Sequence, residues 1–203
     1  AIRRQRQMCI RDRNNMNLPN KLTLLRVILI PLFMILFLSC GTVGLYLALV
    51  TFILAAVTDF FDGQIARRTN SVTTFGKLMD PMADKLLTLG ALVCFLAADV
   101  PYINAWVLII IIARELIVTG MRMLALEQNR VISASFFGKL KTVSQFAMII
   151  VVLINQIVMV GKDPLQGGFG NFLVMILVII SVVLTVLSGI DYVYKNRELL
   201  TFK

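Results

Sequence analysis

The chain has 203 residues, 59% of them hydrophobic, and a formal net charge of +9. A mean hydropathy of +0.87 is too high for a water-soluble globule of this length, and apolar runs long enough to cross a bilayer recur along the sequence. The positive charge does not signal nucleic-acid binding, because the basic residues form no single patch and gather instead in alternate loops.

Residues 1–15 hold five Arg and one Asp and lack the apolar core of a secretory signal. They are expected to be a non-native or disordered leader ahead of Met16, with 16–203 forming one integral membrane domain; a polybasic arm on anionic lipid is the other reading. Pro19, Asn20 and Thr23 then suit a helix start, and Arg26 is long enough to snorkel to the headgroups. Six spans follow, at about 22–39, 43–59, 83–98, 104–124, 141–160 and 172–194. Their connections are short, and no Pro/Ser-rich linker divides the chain. The expected fold is all-α, a polytopic bundle of six transmembrane helices with a polar cavity open to the cytoplasmic side.

Orientation follows from charge. With the N-terminus cytoplasmic, one side collects Lys21, Arg26, Arg67, Arg68, Lys77, Arg130, Lys139, Lys141, Lys195, Arg197 and Lys203, whereas the opposite loops hold only Lys162. That asymmetry satisfies the positive-inside rule and sets both termini in the cytoplasm of a bacterial-type cell membrane. Cys9, Cys40 and Cys94 show no metal or redox spacing, and no disulfide is expected.

Carboxylates mark the junction of the second and third spans: Asp59 and Asp62, three apart, then Asp80 and Asp84, four apart. On helices each spacing puts a pair on one face. Like charges so close repel unless a cation neutralises them, and oxygen ligands in a chain without His point to two hard divalent ions, Mg²⁺ or Mn²⁺. Paired metals of this kind serve displacement at phosphorus. The competing reading is that the acids cap helices and pair with Arg67, Arg68, Lys77 and Lys85; Asp80 before Pro81 is sound capping chemistry at a helix start. Acids at membrane depth are functional by default.

The fourth span carries Arg114 and Glu115, with Arg122 on roughly the same face, and the fifth opens with Gly138, Lys139, Leu140, Lys141 and Thr142. Arg114 beside Glu115 could be a neutralising pair that fixes packing, and lysines at a helix end are commonly solvated topology markers. Basic groups converging near a metal pair would equally suit a phosphorylated acceptor.

The whole acidic pattern, D-x2-D-G-x2-A-R-x8-G-x3-D-x3-D from Asp59 to Asp84, resembles the signature of the CDP-alcohol phosphatidyltransferase family, with every specified position filled. The resemblance implies that Asp59, Asp62, Asp80 and Asp84 hold the metals, and that Asp62, Gly63, Ala66, Arg67 and Gly76 border the CDP group of the donor. Arg67 suits a phosphate or the base because its fork donates several hydrogen bonds. Asn20, Thr23 and Arg26, in the stretch P-N-x-L-T-x-x-R, and the segments around Arg114 and Lys139 resemble the branch of the family that makes phosphatidylglycerophosphate. Arg114, Lys139 and Lys141 are then expected to bind the acceptor phosphate, with Asn20, Thr23, Arg26 and Arg122 at the periphery.

The implied reaction moves a phosphatidyl group from CDP-diacylglycerol to sn-glycerol 3-phosphate and releases CMP, with Asp84 the candidate general base. No nucleophilic Cys or Ser is evident, so direct displacement is expected. Family members commonly form homodimers. The alternatives are the same chemistry on inositol phosphate, serine or phosphatidylglycerol, an intramembrane prenyltransferase, or a cation transporter.

Overall fold

The computed structural model describes the backbone of residues 18–39, 41–69, 74–127, 135–161 and 168–197, and the side chains of 24–39, 41–58, 85–125, 135–161 and 168–197. Within these the chain is all-helical, with six helices: α1 (Leu18–Ser39), α2 (Gly41–Thr69), α3 (Thr74–Ala97), α4 (Ala105–Glu127), α5 (Phe136–Val158) and α6 (Gly168–Lys195). Each matches one expected span, and several run past it.

The overrun matters most at the acidic motif. The apolar part of α2 is Gly41–Thr58, about 27 Å of helix and close to a bilayer's hydrocarbon thickness. The helix nonetheless continues to Thr69, so Asp59 begins a polar extension at the point where the apolar stretch stops. On the other side of the junction α3 starts at Thr74, and its described apolar stretch, Lys85–Ala97, follows Asp80 and Asp84 in the chain. Asp80 therefore lies well inside α3 rather than at its first turn, which corrects its reading as a cap, because the helix already starts at Thr74.

Among the described residues three helices carry apolar stretches long enough to cross a membrane, Gly41–Thr58, Phe136–Val158 and Gly168–Lys195, and the described parts of α1 and α3, Leu24–Ser39 and Lys85–Ala97, are apolar as well. In α4 the apolar run is broken by Arg114, Glu115 and Arg122. Only 28% of Gly41–Thr58 is buried inside the bundle, and the outward surface is Ile, Leu and Val, including Ile28, Ile35, Val43, Val50 and Leu54 on α1 and α2. An apolar perimeter of that extent belongs in lipid.

The dry end of the bundle is a Phe cluster. Phe33 meets Phe37 at 6.0 Å and Phe52 at 5.9 Å, Phe37 meets Phe95 edge-on at 5.4 Å, and Phe52 meets Phe146 at 5.7 Å. These rings join α1, α2, α3 and α5, with offset geometries that aromatic quadrupoles favour. Two hydroxyls in the apolar stretch of α2 are satisfied by their own helix: Thr51 donates to the Leu47 carbonyl at 2.7 Å and Thr58 to that of Leu54 at 2.6 Å. Between α1 and α2 the chain reverses at Gly41, whose φ of +57° falls where a side chain would be strained. Near the end of the bundle opposite the acidic motif, Asn155 on α5 donates to Asn171 on α6 at 3.0 Å.

Candidate functional site

Ion pairs tie the middles of α3 and α4 to the start of α5. The N-terminal half of α3 contributes Lys85, α4 contributes Arg114 and Glu115, and the first turns of α5 contribute Lys141. The Glu115 carboxylate accepts from all three cations: Lys85 Nζ on Oε2, Lys141 Nζ on Oε1, and Arg114 Nη1 on Oε1 at 3.0 Å. Glu115 and Lys141 are buried, 5% and 4% exposed, so this carboxylate is a structural hub and Lys141 is not a solvated topology marker. A lone buried carboxylate would be strongly disfavoured; three donors reverse that.

Arg114 is held from three sides. Its Nε donates to Ser188 Oγ on α6 at 3.1 Å, and Ser188 donates onward to the Thr185 carbonyl at 3.1 Å. Its stem runs beside Gly189, where an added Cβ would come within 3.1 Å of Arg114 Cγ. Its Nη2 lies 3.7 Å from the place a Cβ would take on Gly138. At the start of α5, Ser135 caps the helix by accepting from the Gly138 amide at 3.1 Å.

These groups wall a cavity of about 550 Å³ lined by Lys85, Thr88, Arg114, Glu115, Arg122, Ser135, Lys139, Lys141, Thr142, Gln145 and Tyr192, among others. Five cations face one carboxylate there. The surplus positive charge, much of it on side chains shielded from bulk water, fits a small anion carrying more than one charge. Lys139 and Arg122 are exposed and have no ion-pair partner among the described residues, leaving them available to a ligand.

The expected acceptor residues Arg114, Lys139 and Lys141 thus meet in one cavity, and Arg122 joins them. Arg26 is wholly buried on α1, which rules out snorkelling to the headgroups, and it is not part of this lining. Sequence reasoning missed Glu115 as the hub, and missed Lys85, Gln145 and Tyr192. Lys85 follows Asp84 directly and Gln145 stands four residues after Lys141 on the same face of α5, so both signals were present. The side chains of Asn20, Thr23, Asp59, Asp62, Ala66, Arg67, Asp80 and Asp84, and the surroundings of Gly63 and Gly76, lie outside the described residues. Among the residues that are described, no group of three or more His, Cys, Asp or Glu is arranged to hold a metal. The helical backbone does carry Asp59 and Asp62 at i, i+3 on α2, and Asp80 and Asp84 at i, i+4 on α3.

Fold and cavity together define a polytopic helical membrane protein with a cation-lined cavity among α3, α4, α5 and α6. The sequence profile of the CDP-alcohol phosphatidyltransferases matches residues 16–187. The chain belongs to that family. It is 38% identical over 196 residues to the CDP-diacylglycerol–glycerol-3-phosphate 3-phosphatidyltransferase of Bacillus subtilis, covering 91% of this chain and 97% of the relative. Proteins of the same name are similar to it in Rickettsia typhi, 41% identical over 138 residues with 68% and 76% coverage, and in Sodalis glossinidius, 35% identical over 190 residues with 90% and 96% coverage.

Proposed function

We propose that this chain transfers the phosphatidyl group of CDP-diacylglycerol to sn-glycerol 3-phosphate, giving phosphatidylglycerophosphate and CMP. The observation that carries this reading is the cation-walled cavity around Glu115, set at the same end of the bundle as the acidic pattern. Its volume admits a three-carbon phosphate with room to spare, and its charge favours a phosphorylated acceptor over serine. Family membership removes the prenyltransferase and cation-transporter readings, and the names of the relatives favour the same acceptor.

Asp59, Asp62, Asp80 and Asp84 would hold the metal. The donor set fits: it is all oxygen, in a chain without His, on two helices whose regular backbone gives each pair a shared face. Bound there, two divalent ions such as Mg²⁺ or Mn²⁺ supply Lewis-acid polarisation of the donor pyrophosphate. Asp62, Gly63, Ala66, Arg67 and Gly76 border the CDP group, and small residues let it approach the backbone. Asp84 takes the proton from the acceptor's primary hydroxyl as that oxygen bonds to the β-phosphorus and CMP departs with the electron pair of the broken P–O bond. Lys139, Lys141 and Arg114 anchor the acceptor phosphate, and Asn20, Thr23, Arg26 and Arg122 are peripheral.

The site faces the cytoplasm in this account, since Lys139, Lys195 and Arg197 share its end of the bundle while the described connection 98–104 at the other end has no basic residue. Residues 16–203 act as one domain, and a homodimer, implied by the family resemblance, belongs to the same proposal. The test is CMP release from CDP-diacylglycerol by the purified protein, with and without divalent metal, across glycerol 3-phosphate, inositol phosphate, serine and phosphatidylglycerol. Metal-dependent release stimulated most by glycerol 3-phosphate supports the reading; stronger stimulation by another acceptor overturns it.

A further inference from the structure

Beyond the Glu115 ion pairs and the two exposed cations Arg122 and Lys139, the cavity wall holds two buried polar side chains whose hydrogen bonding is incomplete. Gln145 and Tyr192 line it and are 2% and 3% exposed, yet Gln145 Nε2 and Tyr192 Oη have no hydrogen-bond partner among the described residues. Buried polar groups are ordinarily paired, and an unpaired one in a cavity wall marks a place where a ligand completes the set. Two further unpartnered hydroxyls, Ser181 Oγ and Thr185 Oγ1, do not line this cavity.

The two candidates differ in position. Gln145 lies about one helical turn beyond Lys141, about 6 Å farther along α5. Tyr192 lies one turn beyond Ser188 toward the end of α6, on the other side of the cations, with its ring packed on Val118 and Met121. A ligand whose phosphate sits among Arg114, Lys139 and Lys141 and whose carbon chain extends inward meets Gln145. The carboxamide both donates and accepts, which matches an alcohol group.

We propose that Gln145 is a specificity-determining residue that hydrogen-bonds the non-reacting middle hydroxyl of a three-carbon polyol phosphate. This deepens the acceptor assignment made above and rests on it. A site built around such a bond rejects a ligand lacking the hydroxyl, because its own polar group is then left unpaired.

The experiment compares sn-glycerol 3-phosphate with 3-hydroxypropyl phosphate, which keeps the phosphate and the attacking hydroxyl and lacks the middle one. Wild type, Gln145→Met and Tyr192→Phe are assayed as full-length protein in CDP-diacylglycerol micelles. Wild type is expected to favour glycerol 3-phosphate by about tenfold or more in kcat/KM. Gln145→Met should bring that preference to about twofold, with KM for CDP-diacylglycerol unchanged, while Tyr192→Phe keeps it. A merely structural Gln145 would lower both acceptors equally. An undiminished preference in Gln145→Met, or its loss in Tyr192→Phe alone, overturns the inference while leaving the acceptor assignment standing. Failure of wild type to use either phosphate would instead overturn the assignment beneath it.

Discussion

Arg114 and Ser188, on α4 and α6, are joined by an Nε–H···Oγ hydrogen bond of 3.1 Å. Beside it, Gly189 leaves just enough room for the arginine stem, since a Cβ there would lie 3.1 Å from Arg114 Cγ. Gly189→Ala should therefore push the guanidinium off its seat without altering the cavity's charge. A sub-ångström displacement of an anchoring group is expected to raise KM for glycerol 3-phosphate about tenfold and leave that for CDP-diacylglycerol unchanged. Gly120→Ala is the matched control: nothing lies within 4 Å of its added methyl. It should stabilise α4 by about 0.5–1 kcal/mol with no kinetic effect. Initial-rate kinetics and thermal unfolding in detergent check both variants.

Glu115→Gln removes the carboxylate that neutralises Lys85, Arg114 and Lys141. Leaving buried cations unpaired should cost about 3–5 kcal/mol, read as a lowered Tm. Inorganic phosphate should restore part of that loss, and should raise the Tm of the variant more than that of wild type, because an anion bound to the folded state replaces the missing charge. Equal shifts in the two proteins would mean that the cluster does not bind anions.

A third prediction concerns the far end of the bundle. A Cβ on Gly170 would fall 2.2 Å from Asn155 Oδ1, so Gly170→Ala should displace the Asn155 carboxamide and weaken its hydrogen bond to Asn171. The expected result is a lower Tm by about 1–3 kcal/mol of lost stability with both KM values intact. That outcome separates a packing defect from a defect in the site.

Much of this molecule is legible in the sequence, and the remainder fails to be for identifiable reasons. Apolar runs located all six helices, but hydropathy ends at the hydrocarbon boundary and the helix does not. Hence α2 runs on to Thr69 and α3 begins at Thr74, and Asp80 loses its reading as a cap. Arg114, Lys139 and Lys141 were readable as one basic group, and they line one cavity. The convergence of Lys85 and Lys141 on Glu115 was not, because those partners lie 30 and 26 residues away on other helices. Local spacing is equally silent about Gly189, whose smallness is explained by an arginine on α4.

Orientation can be tested independently of activity. In a background lacking Cys9 and Cys40, Tyr102→Cys should react with a membrane-impermeant maleimide only from outside, and Arg197→Cys only from the cytoplasm. Labelling of both from one side would contradict the orientation drawn from the basic residues.

Lys139 gives the most direct test of the central claim, that the cavity around Glu115 receives the acceptor phosphate. It lines the cavity yet stands outside the Glu115 ion pairs, so Lys139→Ala removes one ligand-facing charge and leaves the buried cluster intact. With both substrates varied, KM for glycerol 3-phosphate should rise about tenfold, the loss of one charge-assisted hydrogen bond, while KM for CDP-diacylglycerol stays within about twofold of wild type. A rise in the CDP-diacylglycerol KM with an unchanged acceptor KM would contradict the account and assign the cavity to the donor.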